Sequence, residues 1–355
     1  MALESLVVGA QRSLIIISTL LLVSFVNSVY CQTPNPSPSP IQKSAEPEID
    51  PDDVISVNTS EVLLPVTVRN RNGQLVEGLT RDAFRVFEDD SAQALSDLSL
   101  RQVPVDVVLM VDASSSAADN LEDFNKAVVG FATHLESDDR ISLIQFDERI
   151  LLLQDWTKSL AQLRRSLRRI APGMFTRFND AVVLASKNQS SRSSARHAII
   201  ILTDGIDNRS GATIQAALRE ALQSQTAIYV VSNTEIERAK KERDLDRLLN
   251  SNDSNVKFNQ LHIQDLRMGL EALSASEQNL EQLTAATGGR FYRPKSFSDL
   301  ESVYAEVANE LRHQYALYYS PTNKRRDAKF RRVRVEMADP EMKVSARVGY
   351  YAPGR

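Results

Sequence analysis

Hydrophobic positions recur along the chain with different periods, and the changes of period divide it. Residues 14–26 form an almost unbroken apolar run, interrupted by Ser18, Thr19 and Ser24. From 54 to 103 the period is two. Leu64, Val66 and Val68 alternate with Pro65, Thr67 and Arg69, which predicts a half-buried strand. Asn72-Gly73 is a hairpin signal, since both residues tolerate positive φ, and it places Leu75-Val76 on a return strand. Phe84, Val86 and Phe87 begin another strand, closed by the acidic turn Glu88-Asp89-Asp90, and Leu95, Leu98 and Leu100 suggest a fourth. So small a β unit has little core of its own and needs a partner.

From Val105 the pattern changes. Val105 to Val111 is apolar apart from Asp106, as in a central strand buried on both faces. Helical periods over Leu121–Leu135, Leu160–Ile170, Ala181–Ala185, Ala212–Leu222, Leu280–Ala286 and Phe297–Leu311 alternate with strand-like runs. Those runs are Arg140–Phe146, Ile150–Leu153, His197–Leu202, Ala227–Val231 and Phe291-Tyr292. Such alternation predicts an α/β fold, a doubly wound and mostly parallel sheet covered on both faces. Residues 232–275 break the order. A charged helical stretch, Glu235–Asn250, a polar loop, Ser251–Asn255, and a second helical stretch, Leu261–Leu273, read as a surface insertion. The end is β again, with strands expected at Tyr315–Ser320, Phe330–Met337 and Val344–Tyr351. The α/β domain is thus expected over 104–314, flanked by β segments at 54–103 and 315–355 that pair into one small β-sandwich.

The apolar run near the N-terminus is short for a membrane span, which needs about 20 residues. It fits the core of a signal peptide over 1–31, with Val29 and Cys31 placed for a cut before Gln32. Lipidation of Cys31 and a retained anchor are the alternatives. Residues 32–53 are rich in proline and polar side chains and read as an extended linker. These features predict an exported protein, extracellular, periplasmic or on the cell surface, touching membrane only through a lipid or signal anchor.

Composition narrows the chemistry. The formal net charge of −4 gives no global reason to expect nucleic acid as a partner. Residues 320–355 hold ten Lys/Arg against four Asp/Glu, which leaves −10 for the rest of the chain. A solvated face with edge protection by charge is the reading favoured there over a polyanion site. One cysteine excludes an internal disulfide and a Cys zinc cluster, and only four histidines argue against a His-rich metal site. Oxygen ligands remain.

In an open parallel sheet, ligands bind outside the carboxyl ends of the strands. Asp112-Ala113-Ser114-Ser115-Ser116 follows the first buried strand, and Thr203-Asp204-Gly205-Ile206-Asp207 follows the strand from His197. Between them lies Gly173 to Asp180, with Thr176 at a helix start. Two carboxylates and three hydroxyls are hard donors of the kind a magnesium-sized cation takes, six oxygens at about 2.0–2.1 Å with some retained water. A position left open is available to an acidic side chain of a partner.

These motifs resemble the von Willebrand factor A domain family, with its metal-ion-dependent adhesion site. That pattern is a hydrophobic strand, Asp-x-Ser-x-Ser, a distant Thr, and an Asp in a Thr/Ser-Asp-Gly turn. Val107 to Ser116, Thr176 and Ile199 to Gly205 match it. The resemblance, over about 105–315, implies Asp112, Ser114, Ser116, Thr176 and Asp204 as metal ligands. It implies a divalent cation, Mg²⁺ foremost with Mn²⁺ or Ca²⁺ as alternatives, and a protein partner offering a carboxylate. The flanks are similar to an exported, mainly acidobacterial subgroup, through Val76-Glu77-Gly78-Leu79, Phe84 to Asp89, Tyr315 to Tyr319 and Val348 to Tyr351. The charged insertion after Ser232 and Arg177-Phe178 depart from the family pattern; Arg177 would select acidic ligands or cap the site.

The function expected is an exported, non-enzymatic binding or adhesion module. The competing classes are a metal-dependent hydrolase or phosphatase on a similar sheet, and a structural envelope protein with a non-functional site. Phosphatases of this kind use Asp-x-Asp, whereas Ser114 stands at the second position here. No GxGxxG, Walker A loop or Ser-His-Asp order is present. Asp207 reads as loop-stabilising, Asp106 as a polar residue at a sheet edge or facing a helix, and Trp156 as packing.

Overall fold

The computed structural model describes residues 61–99, 103–114, 121–189, 195–250 and 256–354. The expected signal peptide with Cys31, the linker, Ser116 and the 251–255 loop lie outside the described residues. Among the described residues the chain forms three sheets.

The N-terminal segment supplies β1 (Val62–Arg69), β2 (Phe84–Glu88), β3 (Ser91–Gln93) and β4 (Leu95–Ser99). Leu75 makes only an isolated bridge to Arg69, so the return strand after Asn72-Gly73 does not form. The turn after β2 is tight: Asp89 and Asp90 both take positive φ, 45° and 64°.

The α/β layer follows. Its strands are β5 (Val105–Asp112), β6 (Arg140–Phe146), β7 (Ile150–Thr157), β8 (Arg196–Thr203), β9 (Thr226–Ser232) and β10 (Phe291–Tyr292). Its helices are α1 (Leu121–Thr133), α2 (Leu160–Leu167), α3 (Phe178–Gln189), α4 (Ile214–Gln223), α5 (Thr234–Leu249), α6 (Val256–Thr287) and α7 (Leu300–Arg312). The sheet order is β10-β9-β8-β5-β6-β7, parallel except for the antiparallel edge β7. Every residue of β5 is buried, and the strand's two faces feed different cores. Val107 and Leu109 pack toward α1, α2 and α7; Val108 and Met110 pack toward α3, α4 and α6. Asp106 sits on this central strand rather than at an edge, and Arg140 of β6 holds it, with Nε 2.8 Å from Oδ1.

The insertion differs from its expected form. Helix α6 runs unbroken for 32 residues, joining the stretch from Leu261 with that from Leu280. Residues 274–279, Ser-Ala-Ser-Glu-Gln-Asn, contain neither Pro nor Gly, so nothing there stops a helix. It ends at Gly288, which takes φ +78°.

The C-terminal segment gives β11 (Tyr315–Tyr319), β12 (Phe330–Met337), β13 (Lys343–Ser345) and β14 (Gly349–Tyr351). The strand expected over 344–351 is two strands, because β13 pairs with β1 and β14 with β12, in different sheets. Strands from both ends of the chain interleave as β13-β1-β11-β4 and β14-β12-β2-β3. Leu64, Val66, Val86, Leu317, Tyr319 and Val333 share the core between them. Glu88 is buried there, with Oε2 accepting the hydroxyls of Tyr319 and Tyr350, each at 2.9 Å. Arg69 of β1 pairs with Glu310 of α7 and thereby joins the sandwich to the α/β layer. Arg196, at the start of β8, ties that strand to the connection into β5, with Nε and Nη2 donating to the Val103 carbonyl at 3.0 and 2.8 Å.

Candidate functional site

The carboxyl ends of β5, β6 and β8 converge on one edge of the parallel sheet, and the side chains there are polar. Asp112 ends β5 and is only 2% exposed. Its Oδ1 accepts the Ser114 N–H at 3.0 Å, and its Oδ2 accepts the Thr203 hydroxyl at 2.7 Å. The Thr203 oxygen in turn accepts the Gly205 N–H at 2.8 Å. Thr203 therefore clamps Asp112 to the turn that carries Asp204. Asp204 Oδ1 accepts the Ile206 N–H at 3.0 Å, and the Ser276 hydroxyl of α6 donates to the Asp204 carbonyl.

Thr176 comes from the connection into α3 and is buried. Its N–H donates to Asn208 Oδ1 at 2.9 Å, and its carbonyl accepts the N–H groups of Asn208 and Arg209 at 3.2 and 3.1 Å. Two further bonds tie the same connection to the other strands: Gly173 N–H to the Ala113 carbonyl at 2.7 Å, and Arg177 N–H to the Asp147 carbonyl at 3.1 Å. Gly173 is required by close approach, because a Cβ there would stand 2.4 Å from the Asp147 Cβ. The structure thus gathers Asp112, Ser114, Thr176 and Asp204 on loops bonded to one another. Ser116 is the site residue that lies outside the described residues.

The electrostatics are those of neighbouring carboxylates withdrawn from water. Burial pushes the Asp112 carboxyl above its ordinary value, against the bonds from Thr203 and Ser114, and Asp147 adds to the rise. Asp204 is pushed up to about 7, first by burial and then by the Asp112 charge, with Glu237 adding to it. Lys241 works the other way on Asp204, but burial and the neighbouring carboxylates prevail. The donors are carboxylate and hydroxyl oxygens, so the residues present fit a small, hard divalent cation. Among the described residues no group of three or more His, Cys, Asp or Glu forms a metal cluster, so such a cation would depend on the hydroxyls.

Three residues that sequence reasoning passed over belong to this edge. Asp147 is fully buried, held by Gln145 Nε2 at 2.7 Å and the Arg149 N–H at 2.7 Å, and it bears on Asp112. Its position just past β6 was the available signal. Thr203 and Asn208 act through bonds to residues far away in sequence, which no local pattern reveals. Arg177 is committed to Asp180, with Nε and Nη2 at 3.0 and 2.7 Å from Oδ2. Asp207 accepts N–H groups from Asn179 and Ser210 at 2.8 and 2.9 Å, which is a loop-stabilising role.

A mostly parallel sheet wrapped by helices, with oxygen-bearing side chains at the carboxyl ends of its central strands, is a Rossmann-like α/β fold. Residues 106–268 match the von Willebrand factor type A domain. The α/β layer continues past the matched range to Arg312. Solved structures with this fold include a von Willebrand factor type A protein from Catenulispora acidiphila, at 14% identity and TM-score 0.44, covering 71% of this chain and 51% of that one. An aerotolerance-related membrane protein from Bacteroides fragilis NCTC 9343 is 16% identical at TM-score 0.40, over 58% of this chain and 99% of that one. The vWF domain of the type V pili tip protein Mfa5 from Porphyromonas gingivalis is 25% identical at TM-score 0.28, over 32% and 43%. No curated protein matches the sequence. Among the described residues no helix is long and apolar enough to cross a membrane.

Proposed function

We propose that this protein is an exported binding module of the acidobacterial type, which holds a divalent cation and through it recognises an acidic group on a protein partner. The observation that carries this reading is that Asp112, buried at the end of β5, and Asp204, half-buried just past the adjacent parallel strand β8, are joined through the Thr203 hydroxyl and the Gly205 N–H. Asp112 and Asp204 would supply the charge, and Ser114, Ser116 and Thr176 the hydroxyl oxygens. A Mg²⁺ ion at this place would offer a partner's carboxylate its open coordination position. Among the described residues, hydrogen bonds to backbone N–H groups hold Asp112 and Asp204, and Asn208 holds the Thr176 backbone, which supports a site organised in advance. Ser114 occupies the place of a phosphatase's second carboxylate, which supports binding over hydrolysis.

Cation binding to the native state raises stability by mass action, by about 2.7 kcal/mol at a free concentration of 100 Kd. The melting temperature is expected to rise with Mg²⁺, Mn²⁺ or Ca²⁺ and to fall back with chelator, and Asp112→Ala is expected to abolish the response. A wild type indifferent to all three ions, or a variant that responds equally, refutes the site. Phosphatase turnover by the same metal-loaded samples would refute the non-enzymatic reading.

A further inference from the structure

The sheet β14-β12-β2-β3 has an outer face whose chemistry the proposed cation site does not use. Alternation along β12 turns Val333 and Val335 inward and Phe330, Arg332 and Arg334 outward. The register sets Tyr351 beside Phe330 and Phe87 beside Arg334. A solvated sheet face ordinarily carries polar side chains. This one carries three aromatic rings interleaved with guanidinium groups. Phe330, 39% exposed, meets Tyr351 with ring centroids 5.3 Å apart. It lies over Gly349, where a Cβ would come within 2.4 Å of the ring. Arg334 stands 4.4 Å over the Phe87 ring, and Arg219 of α4 stands 5.3 Å from that of Tyr351. The side chain of Arg332 is 61% exposed. Beside this face the basic loop 324–329 is tied to the end of β14, the Ala352 N–H donating to the Lys329 carbonyl at 2.9 Å.

We propose that this face binds an acidic polysaccharide, a polymer bearing uronate-type carboxylates. Its sugar rings would lie against Phe330, Tyr351 and Phe87, and its carboxylates would take the forks of Arg332 and Arg334. Both guanidinium groups already pair with a carboxylate, Arg332 with Asp90 and Arg334 with Glu336. These acids are exposed, and exchanging one solvated carboxylate for another costs little. Charge is segregated to suit such a ligand. Residues 320–355 hold ten Lys/Arg against four Asp/Glu in a chain whose net charge is −4. The acidic remainder opposes a polymer as densely charged as nucleic acid. The Phe330 and Tyr351 rings, inclined at 61°, offer edges and partial faces rather than a flat platform for bases.

The test measures binding of the full chain to immobilised polygalacturonate over a range of salt, with dextran and oligothymidylate in parallel. Polygalacturonate is expected to bind, to weaken as salt rises, and to be preferred over both other polymers. The double variant Arg332→Glu, Arg334→Glu should bind about tenfold more weakly or worse, since it replaces two charge-assisted contacts with repulsion. Phe330→Ser removes a ring without changing charge. It should also weaken binding, and it keeps the test standing if the reversed charges disturb the fold. Asp112→Ala and chelator should leave binding unchanged, which separates this face from the cation site. No binding of the wild type at low salt, equal binding to dextran, preference for oligothymidylate, or full binding by Phe330→Ser overturns the proposal.

Discussion

Thr203 decides which way the Asp112 carboxylate points. Its hydroxyl donates to Asp112 Oδ2 and accepts the Gly205 N–H, so one oxygen links two strand ends to the turn holding Asp204. Valine has nearly the same shape but neither donates nor accepts there. Thr203→Val is therefore expected to leave Gly205 N–H without its acceptor and Asp112 free to turn. Divalent-cation affinity should fall by about 1–2 kcal/mol, roughly five- to thirtyfold. Titration calorimetry on both proteins measures this, and an unchanged affinity would show that Thr203 does not orient the site. At this scale the sequence was partly transparent. Asp112, Ser114, Thr176 and Asp204 are set apart by spacing and by their place after buried strands. The part played by Thr203 depends on a partner 91 positions away, and that of Asp147 on a glycine across the loop.

Elements with one clean period were read correctly from sequence, and those with mixed surroundings were not. Strand β5 is buried along its whole length, and its apolar run shows it. Helix α6 has two environments. Its C-terminal half packs Leu273, Leu280 and Leu283 into the fold, while Leu261 and Met268 of its N-terminal half are exposed. The apolar pattern therefore fades midway although the backbone continues. This division has an energetic consequence. Leu273 is fully buried, so Leu273→Ala is expected to cost about 2–5 kcal/mol. Met268 is 58% exposed, and Met268→Ala should stay within about 0.5 kcal/mol. Denaturant unfolding of the two variants measures the contrast, and equal losses would mean that the helix is anchored along its whole length. The 344–351 stretch failed to read for a different reason. Its residues are uniformly strand-like, and what divides them is a change of sheet, which only the pairing partners define.

On the scale of the whole molecule, the two ends of the described chain are one structural unit interrupted by another. Strand β1 lies between β11 and β13, and β2 lies between β12 and β3, so each N-terminal strand of the sandwich interior needs a C-terminal neighbour. Glu88 makes the dependence chemical as well as steric. Its buried carboxylate is hydrogen-bonded by Tyr319 and Tyr350, both from the C-terminal segment. Without them the carboxylate would lose two hydrogen-bond donors in an apolar core, which is costly. Removing 315–355 should therefore unfold the N-terminal strands rather than leave a smaller sandwich. The α/β layer has its own two cores and its own closing helix, α7, so it should survive the deletion in weakened form, having lost the strand that follows α7. Hydrogen exchange resolves the two outcomes. In the truncated chain the amides of Val62–Arg69 and Phe84–Glu88 should exchange at the rates of an unfolded peptide, while those of β5 and β8 stay protected. Retained protection at Val62–Arg69 would mean that the N-terminal strands hold together by contacts with the α/β layer, of which the Arg69–Glu310 pair is the one most able to serve.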